Sequence, residues 1–317
     1  MKNVRLQLSD LPKNLDFPID LFLCSASFEA RCRSIPDALH KKDIKMTVIA
    51  ENQNHLALHG QNAEYLLRQF PKAEKAMLDT SNPIKTADAL LHGLRNMPTA
   101  PPKSVVVDVT TFTHEAVLIL FRLLKARDML PRTLFLYCCA KSYSGDDPPE
   151  KKWLSRGVGQ VRSVLGYPGK MRPSRKLHLI VLTGFEVERV SELIRRYEPS
   201  VISLGYADSP EPHAALHQPS NSASLAQLRA IHGPAMEFSF DCYDPGKTKL
   251  AILDRAKATP EHNIVVAPLS TKLSTIGAAL AASESEDIQI CYAQALIYNH
   301  QNYSVPGDAC YIFQPEG

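Results

Sequence analysis

The sequence predicts an α/β fold of two tandem Rossmann-like domains with mainly parallel sheets, the second a duplicate of the first. Three observations carry this expectation. Short runs such as Val105-Val106-Val107 and Ile264-Val265-Val266 are apolar at every position. Strands of that kind are buried on both faces, as in a parallel sheet covered by helices. Helical patterns lie between the runs, and strand–helix alternation implies right-handed βαβ units. Finally, the motifs recur in the same order. Asp79, Pro83, Lys85 and Thr86 fall without a gap on Asp241, Pro245, Lys247 and Thr248.

In chain order, the first half places strands at 20–25, 45–50, 75–79, 104–109 and 133–139, with helices over 28–39, 61–70, 84–95 and 114–127. The second half places strands at 177–183, 200–205, 236–241, 263–269 and 288–294, with helices over 187–197, 224–231, 248–258 and 275–282. Segment 21–29 matches 179–186, 105–111 matches 265–271, and 135–137 matches 290–292. The domain reading is therefore 1–150 for the first repeat, 151–176 for a basic, Gly-containing linker, and 177–317 for the second repeat.

The linker holds eight Lys/Arg residues and no Asp or Glu. It reads either as a surface for nucleic-acid backbone or as a solvated connector, and its diffuse spacing favours the connector. Segment 209–224, rich in Ser and Pro with His213 and His217, reads as a long loop or lid. The 317 residues suffice for two domains, and no apolar run approaches the roughly 18–20 residues that span a bilayer. The first residues lack a signal-peptide pattern, which with the absence of CxxC motifs gives the expectation of a cytoplasmic protein with reduced, buried thiols. A net charge of +3 is too small to imply nucleic acid by itself.

Ligands of open parallel sheets bind beyond the carboxyl ends of the strands. The polar residues expected there are Ser25, Ser27, Glu29 and Arg31 after the first strand, matched by Thr183, Glu186 and Arg189. After the fourth strand come Thr110, Thr111 and Thr113, matched by Ser270, Thr271, Lys272 and Ser274. Hydroxyls and free amides at helix starts suit an anion, and a lysine adds point charge. The same hydroxyls also serve as helix caps, and the glutamates as partners of the arginines. Pro245-Gly-Lys-Thr lacks the upstream glycine of a phosphate-binding P-loop, and no GxGxxG follows either first strand. A catalytic role would fall on His114, Glu115, Asp108 and Glu29, yet no nucleophile–base arrangement is identifiable. Gly145-Asp146-Asp147 reads as a solvated turn rather than a magnesium site.

Val-Val-Val-Asp-Val-Thr-Thr-Phe-Thr at 105–113, opening a helix, resembles the strand-4 turn of CARF-type domains. Ser270-Thr271-Lys272 resembles a second version of it, although Pro268 stands in the place of Asp108. Two such domains in one chain resemble the SAVED arrangement of bacterial antiphage systems. The resemblance implies a sensor or regulatory subunit that holds a nucleotide-like or phosphate-bearing ligand between its halves, with a protein partner or effector subunit. The alternatives are an enzyme acting on a nucleotide or nucleic acid with one active and one degenerate half, and a protein-interaction scaffold.

Overall fold

The structure is a computed structural model and describes residues 2–53, 56–95, 102–144 and 153–316. The chain forms two compact units, one of Met1–Ser142 with Ser304–Gly317, the other of Tyr143–Tyr303.

The first unit contains β1 (Lys2–Gln7), the short α1 (Leu11–Asn14), β2 (Ile19–Ala26), α2 (Ser34–Leu39), β3 (Ile44–Asn52), α3 (Leu56–Gln69), β4 (Glu74–Leu78), α4 (Pro83–Arg95), β5 (Val105–Asp108), α5 (His114–Ala126) and β6 (Thr133–Tyr143), whose last residue, Tyr143, falls in the second unit. The second contains β7 (Ser155–Pro168), β8 (Leu177–Leu182), α6 (Val187–Tyr197), β9 (Val201–Ala207), α7 (Pro212–His232), β10 (Met236–Phe240), α8 (Pro245–Lys257), β11 (Asn263–Pro268), α9 (Lys272–Glu284) and β12 (Ile288–Tyr298). The last strand, β13 (Ser304–Gln314), returns to the first unit.

The sheet of the first unit runs β1-β13-β6-β5-β2-β3-β4, and that of the second runs β7-β12-β11-β8-β9-β10. Within them, β6-β5-β2-β3-β4 and β12-β11-β8-β9-β10 are parallel throughout. In each set the earliest strand in the chain is central and the order reverses beside it, as in Rossmann folds. Every residue of β2 is buried, its polar Asp20 and Ser25 together with its apolar run. The core of the first unit gathers Phe22, Cys24, Ile49, Val106 and Leu136, and that of the second Leu179, Val181, Val190, Leu204 and Val265. All seven cysteines are free and buried. Among the described residues no helix is long and apolar enough to cross a membrane.

Edge strands depart from simple tandem order. β7 follows β6 in the chain but pairs antiparallel with β12. β13 follows β12 but lies beside β6 and pairs antiparallel with β1. Each unit thus receives its sixth strand from the sequence that follows the other unit's fifth.

Three differences from the sequence reading have local causes. Residues 155–168 of the expected linker are strand β7. Its glycines and arginines hide the strand pattern; Gly157 and Gly166 take φ of 66° and 90°, and Gly166 lies where the pairing with β12 shifts register. Residues 212–224 of the expected loop belong to helix α7. Pro212 stands in its first turn, where proline costs nothing, and buried Leu225 and Leu228 anchor the helix on the core despite its serines and the interior Pro219. The helix expected over 28–39 starts only at Ser34, after a 3₁₀ turn over Ala30–Arg33. Pro36 is tolerated only in a first turn. Gly145, Asp146, Asp147, Lys151 and Lys152 lie outside the described residues.

Candidate functional site

Both units place their polar turns at the carboxyl ends of the parallel strands, and the turns are built alike. After β4, the Asp79 carboxylate accepts from the Ser81 amide at 2.9 Å and pairs with Lys85 at 3.8 Å. The Thr86 hydroxyl donates to the Asp79 carbonyl at 2.9 Å. After β10, Asp241 accepts from the Tyr243 amide at 3.1 Å and pairs with Lys247 at 3.2 Å, and the Thr248 hydroxyl donates to the Asp241 carbonyl at 2.6 Å. The lysines of the Lys-Thr motifs therefore neutralise aspartates at helix starts.

After the first strand of each unit stands a buried ion pair. Arg31 donates to Glu29 through Nε at 3.0 Å and Nη2 at 2.5 Å, with side chains 3% and 8% exposed. Its Nη1 reaches the carbonyl of Cys138 on β6 at 3.2 Å, and its Nε also meets the Ser304 hydroxyl at 3.0 Å. That hydroxyl donates to Glu29 at 2.7 Å. In the second unit Arg189 pairs with Glu186, donates Nε to the carbonyl of Ala293 on β12 at 2.8 Å, and Glu186 accepts from the Ser155 hydroxyl. Cys138 and Ala293 each follow the matched segments 135–137 and 290–292. Ser304 opens β13 and Ser155 opens β7. Both networks clamp the first-strand turn to the fifth and sixth strands of its sheet. The one-residue slip between Arg31 and Arg189 in sequence leaves the clamp intact.

The hydroxyl-rich turns are largely engaged in the fold. In the first unit, the Ser25 hydroxyl contacts the Ala26 carbonyl at 3.4 Å and the Ser27 hydroxyl accepts from the Glu29 amide at 3.3 Å. Thr110 accepts from the Cys138 amide at 3.0 Å, Thr111 donates to the Ser25 carbonyl at 2.9 Å, and Thr113 caps α5 through the Ala116 amide at 3.2 Å. In the second, Thr183 donates to the Gly205 carbonyl at 2.5 Å, Thr271 caps α9 through the Ser274 amide at 3.1 Å, and buried Ser274 donates to the Thr271 carbonyl at 2.8 Å. Ser270 and Lys272 are half-buried; Ser270 lies two residues before α9 and Lys272 is its first residue.

The turns after β8 and β11 touch backbone to backbone. A Cβ on Gly184 would lie 2.4 Å from the Leu269 carbonyl oxygen, so only glycine fits. Beside Gly184, half-buried Phe185 meets His217 of α7 at 6.0 Å between ring centroids, and Tyr143 lies 4.9 Å from His217 and 5.6 Å from Phe185. Phe28 meets His59 of α3 at the same 6.0 Å, with the rings tilted by 36° where those of Phe185 and His217 stand edge-on at 70°. Sequence reasoning missed this recurring ring pair. Its signal was the spacing: His59 follows Phe28 by 31 residues and His217 follows Phe185 by 32.

Of the catalytic candidates, Glu29 is held by Arg31, Glu115 is buried in α5, and His114 opens that helix half-buried. Asp108 is buried at the end of β5, where its carboxylate accepts from the Thr110 amide at 3.0 Å. Desolvation pushes its pKa up to about 7, against the opposing pull of Thr110 and Arg31. Pro268 occupies the corresponding end of β11.

No protein-family profile matches the chain, and no curated protein is detectably similar to it. Solved structures are similar in fold. A Type III CRISPR defence DNA nuclease activated by cyclic oligoadenylate superposes with a TM-score of 0.50 at 7% identity, over 84% of this chain and 64% of that one. The NADPH-bound carbonyl reductase of chicken fatty liver aligns over 82% of this chain and 80% of its own at 10% identity, with a TM-score of 0.30, too low to carry an argument. The present chain thus spans less than two thirds of the nuclease and shares its α/β architecture. The resemblance first visible in the strand-4 turns is matched by a likeness of fold.

Proposed function

We propose that the protein is a ligand-binding sensor or regulatory subunit that takes a nucleotide-like, phosphate-bearing ligand at the carboxyl edges of its sheets, in bacterial antiphage defence. On this reading the two units are duplicated copies. The observation that supports it most is the backbone contact at Gly184 between the turn after β8, which carries Phe185, and the turn after β11, which leads into α9. On one side, Ser270, Lys272 and the start of α9 present hydroxyl, charge and helix-terminal amides suited to phosphate. On the other, Phe185, His217 and Tyr143 present ring edges and faces suited to a base. The nuclease of similar fold is activated by cyclic oligoadenylate, a ligand of that chemistry.

Calorimetric titration with cyclic and linear oligoadenylates tests the reading. Saturable binding is expected, weakened at least tenfold by Lys272→Ala and by Phe185→Ala at an unchanged unfolding midpoint. Absence of heat with every nucleotide tried, together with no nucleotide retained in native mass spectrometry, would remove it.

A further inference from the structure

The first unit carries a concavity at the amino end of its sheet, where the parallel strands begin. Its volume is about 640 Å³, within the range of about 300–1,000 Å³ typical of small-molecule sites. Its polar wall comes from the starts of three strands: Asp20 on β2, Lys45 on β3, and Lys103 and Ser104 before β5. Arg132 stands before β6. Its apolar wall comes from Leu15, Phe17, Leu134 and Ile312.

The polar wall is fixed, and its charge is unbalanced. Asp20 accepts from Lys45 Nζ at 2.6 Å, from the Lys103 amide at 2.6 Å and from the Ser104 amide at 3.3 Å. The Lys45 hydrogen bond, with the two amides, holds its carboxyl below the usual range, so it remains ionised and spent. Asp20 is the sole acid among the lining residues, and it is matched by Lys45 alone. Two cations are left over. Arg132 Nη1 donates to the Pro102 carbonyl at 3.3 Å, which seats the guanidinium one residue from Lys103. Among the described residues no ion pair engages Lys103 or Arg132. A planar fork beside an ammonium suits a carboxylate or phosphate. Phe17, 37% exposed at the end of the apolar wall, offers a ring to the remainder of such a molecule.

We infer that this amino-edge concavity is a binding site for a small organic anion, with a carboxylate or phosphate held by Lys103 and Arg132 and an apolar or aromatic body laid against Phe17, Leu15 and Leu134. It is separate from the carboxyl-edge turns and does not depend on what they bind.

Phenyl phosphate and benzoate, titrated separately into the ¹⁵N-labelled full chain, test the inference and distinguish phosphate from carboxylate. Inorganic phosphate and benzyl alcohol report the two ends of the molecule alone. Saturable shifts are expected at the amides of Asp20, Lys103 and Ser104 with at least one aromatic anion. Affinity should fall at least tenfold in Lys103→Glu/Arg132→Glu and several-fold in Phe17→Ser, and stay unchanged in Lys272→Ala. These three positions are exposed or paired only to backbone, so the variants should keep the wild-type amide spectrum elsewhere. Equal affinity in the charge-reversed variant, or no saturable shift at those amides with either anion, would overturn the proposal.

Discussion

Arg31 donates its Nη1 to the carbonyl of Cys138 at 3.2 Å. The bond joins the turn after the first parallel strand to the fifth, and Arg189 repeats it on Ala293. Breaking a buried pair by removing one partner leaves an uncompensated charge, at a cost of about 3–5 kcal/mol. Arg31→Met should destabilise the first unit by that order, and Glu29→Gln added to it should recover part of the loss. Arg31→Lys should not substitute, because one ammonium cannot span Glu29, Ser304 and Cys138 at once. Urea denaturation of the wild type, these three variants and Glu29→Gln alone checks this; additive losses in the double variant would show that no coupling exists.

Two glycines should respond to alanine with opposite signs. At Gly184 the new Cβ meets a carbonyl oxygen at 2.4 Å, so Gly184→Ala should cost about 2 kcal/mol or more and disturb the Phe185 turn. At Gly60, inside α3, nothing stands within 4 Å of the new atom. Gly60→Ala should gain about 0.5–1 kcal/mol through a less flexible unfolded chain. A midpoint that rises in Gly184→Ala, or one that falls in Gly60→Ala, would contradict the corresponding reading.

Asp108 gives the first unit a pH dependence of defined sign. Its carboxyl titrates near 7 when folded and near the ordinary 3.8 when unfolded, because burial disfavours the anion. Below 3.8 both states hold the proton. As pH rises to 7 the unfolded chain releases it first, so stability falls across that window and stays low above it, by about 4 kcal/mol at most. Asp108→Asn keeps an oxygen for the Thr110 amide and removes the titration. Its stability relative to wild type should therefore grow between pH 4 and pH 7 and then level off. A constant difference from pH 4 to pH 8 would refute the assignment.

The exchange of edge strands predicts unequal fragments. Residues 143–303 contain all six strands of the second sheet and should unfold cooperatively when expressed alone. Residues 1–142 lack β13, which leaves β1 without its partner and β6 with an open edge. That fragment should aggregate, and joining 304–317 to it through a flexible linker should restore a cooperative transition in circular dichroism. A well-folded 1–142 would show that β13 is dispensable.

The parallel strands and most helices were legible because burial on both faces writes continuous apolar runs, as at Val105-Val106-Val107. Strands β1, β7 and β13 were not, because they lie at or near sheet edges, where polar residues and glycines such as Gly157 interrupt the pattern. The candidate site was legible in part. Thr111 and Thr271 could be placed at helix starts from their spacing, whereas the partners that engage their hydroxyls, Ser25 and Cys242, come from other turns. His217 was hidden because a serine- and proline-rich helix carries little helical signal of its own, and tertiary burial of Leu225 and Leu228 decides its state.

Strand exchange also sets an order in time. A chain emerging from the ribosome normally completes its earlier domain first. Here the second unit is whole once Tyr303 has been made, while the first waits for β13, whose last residue is Gln314. During most of translation the earlier unit holds the flank of β6 unfilled, and it closes only after the later one. Its nascent form is therefore the one exposed to strand-seeking neighbours, and a chaperone that shields this protein would act on β6.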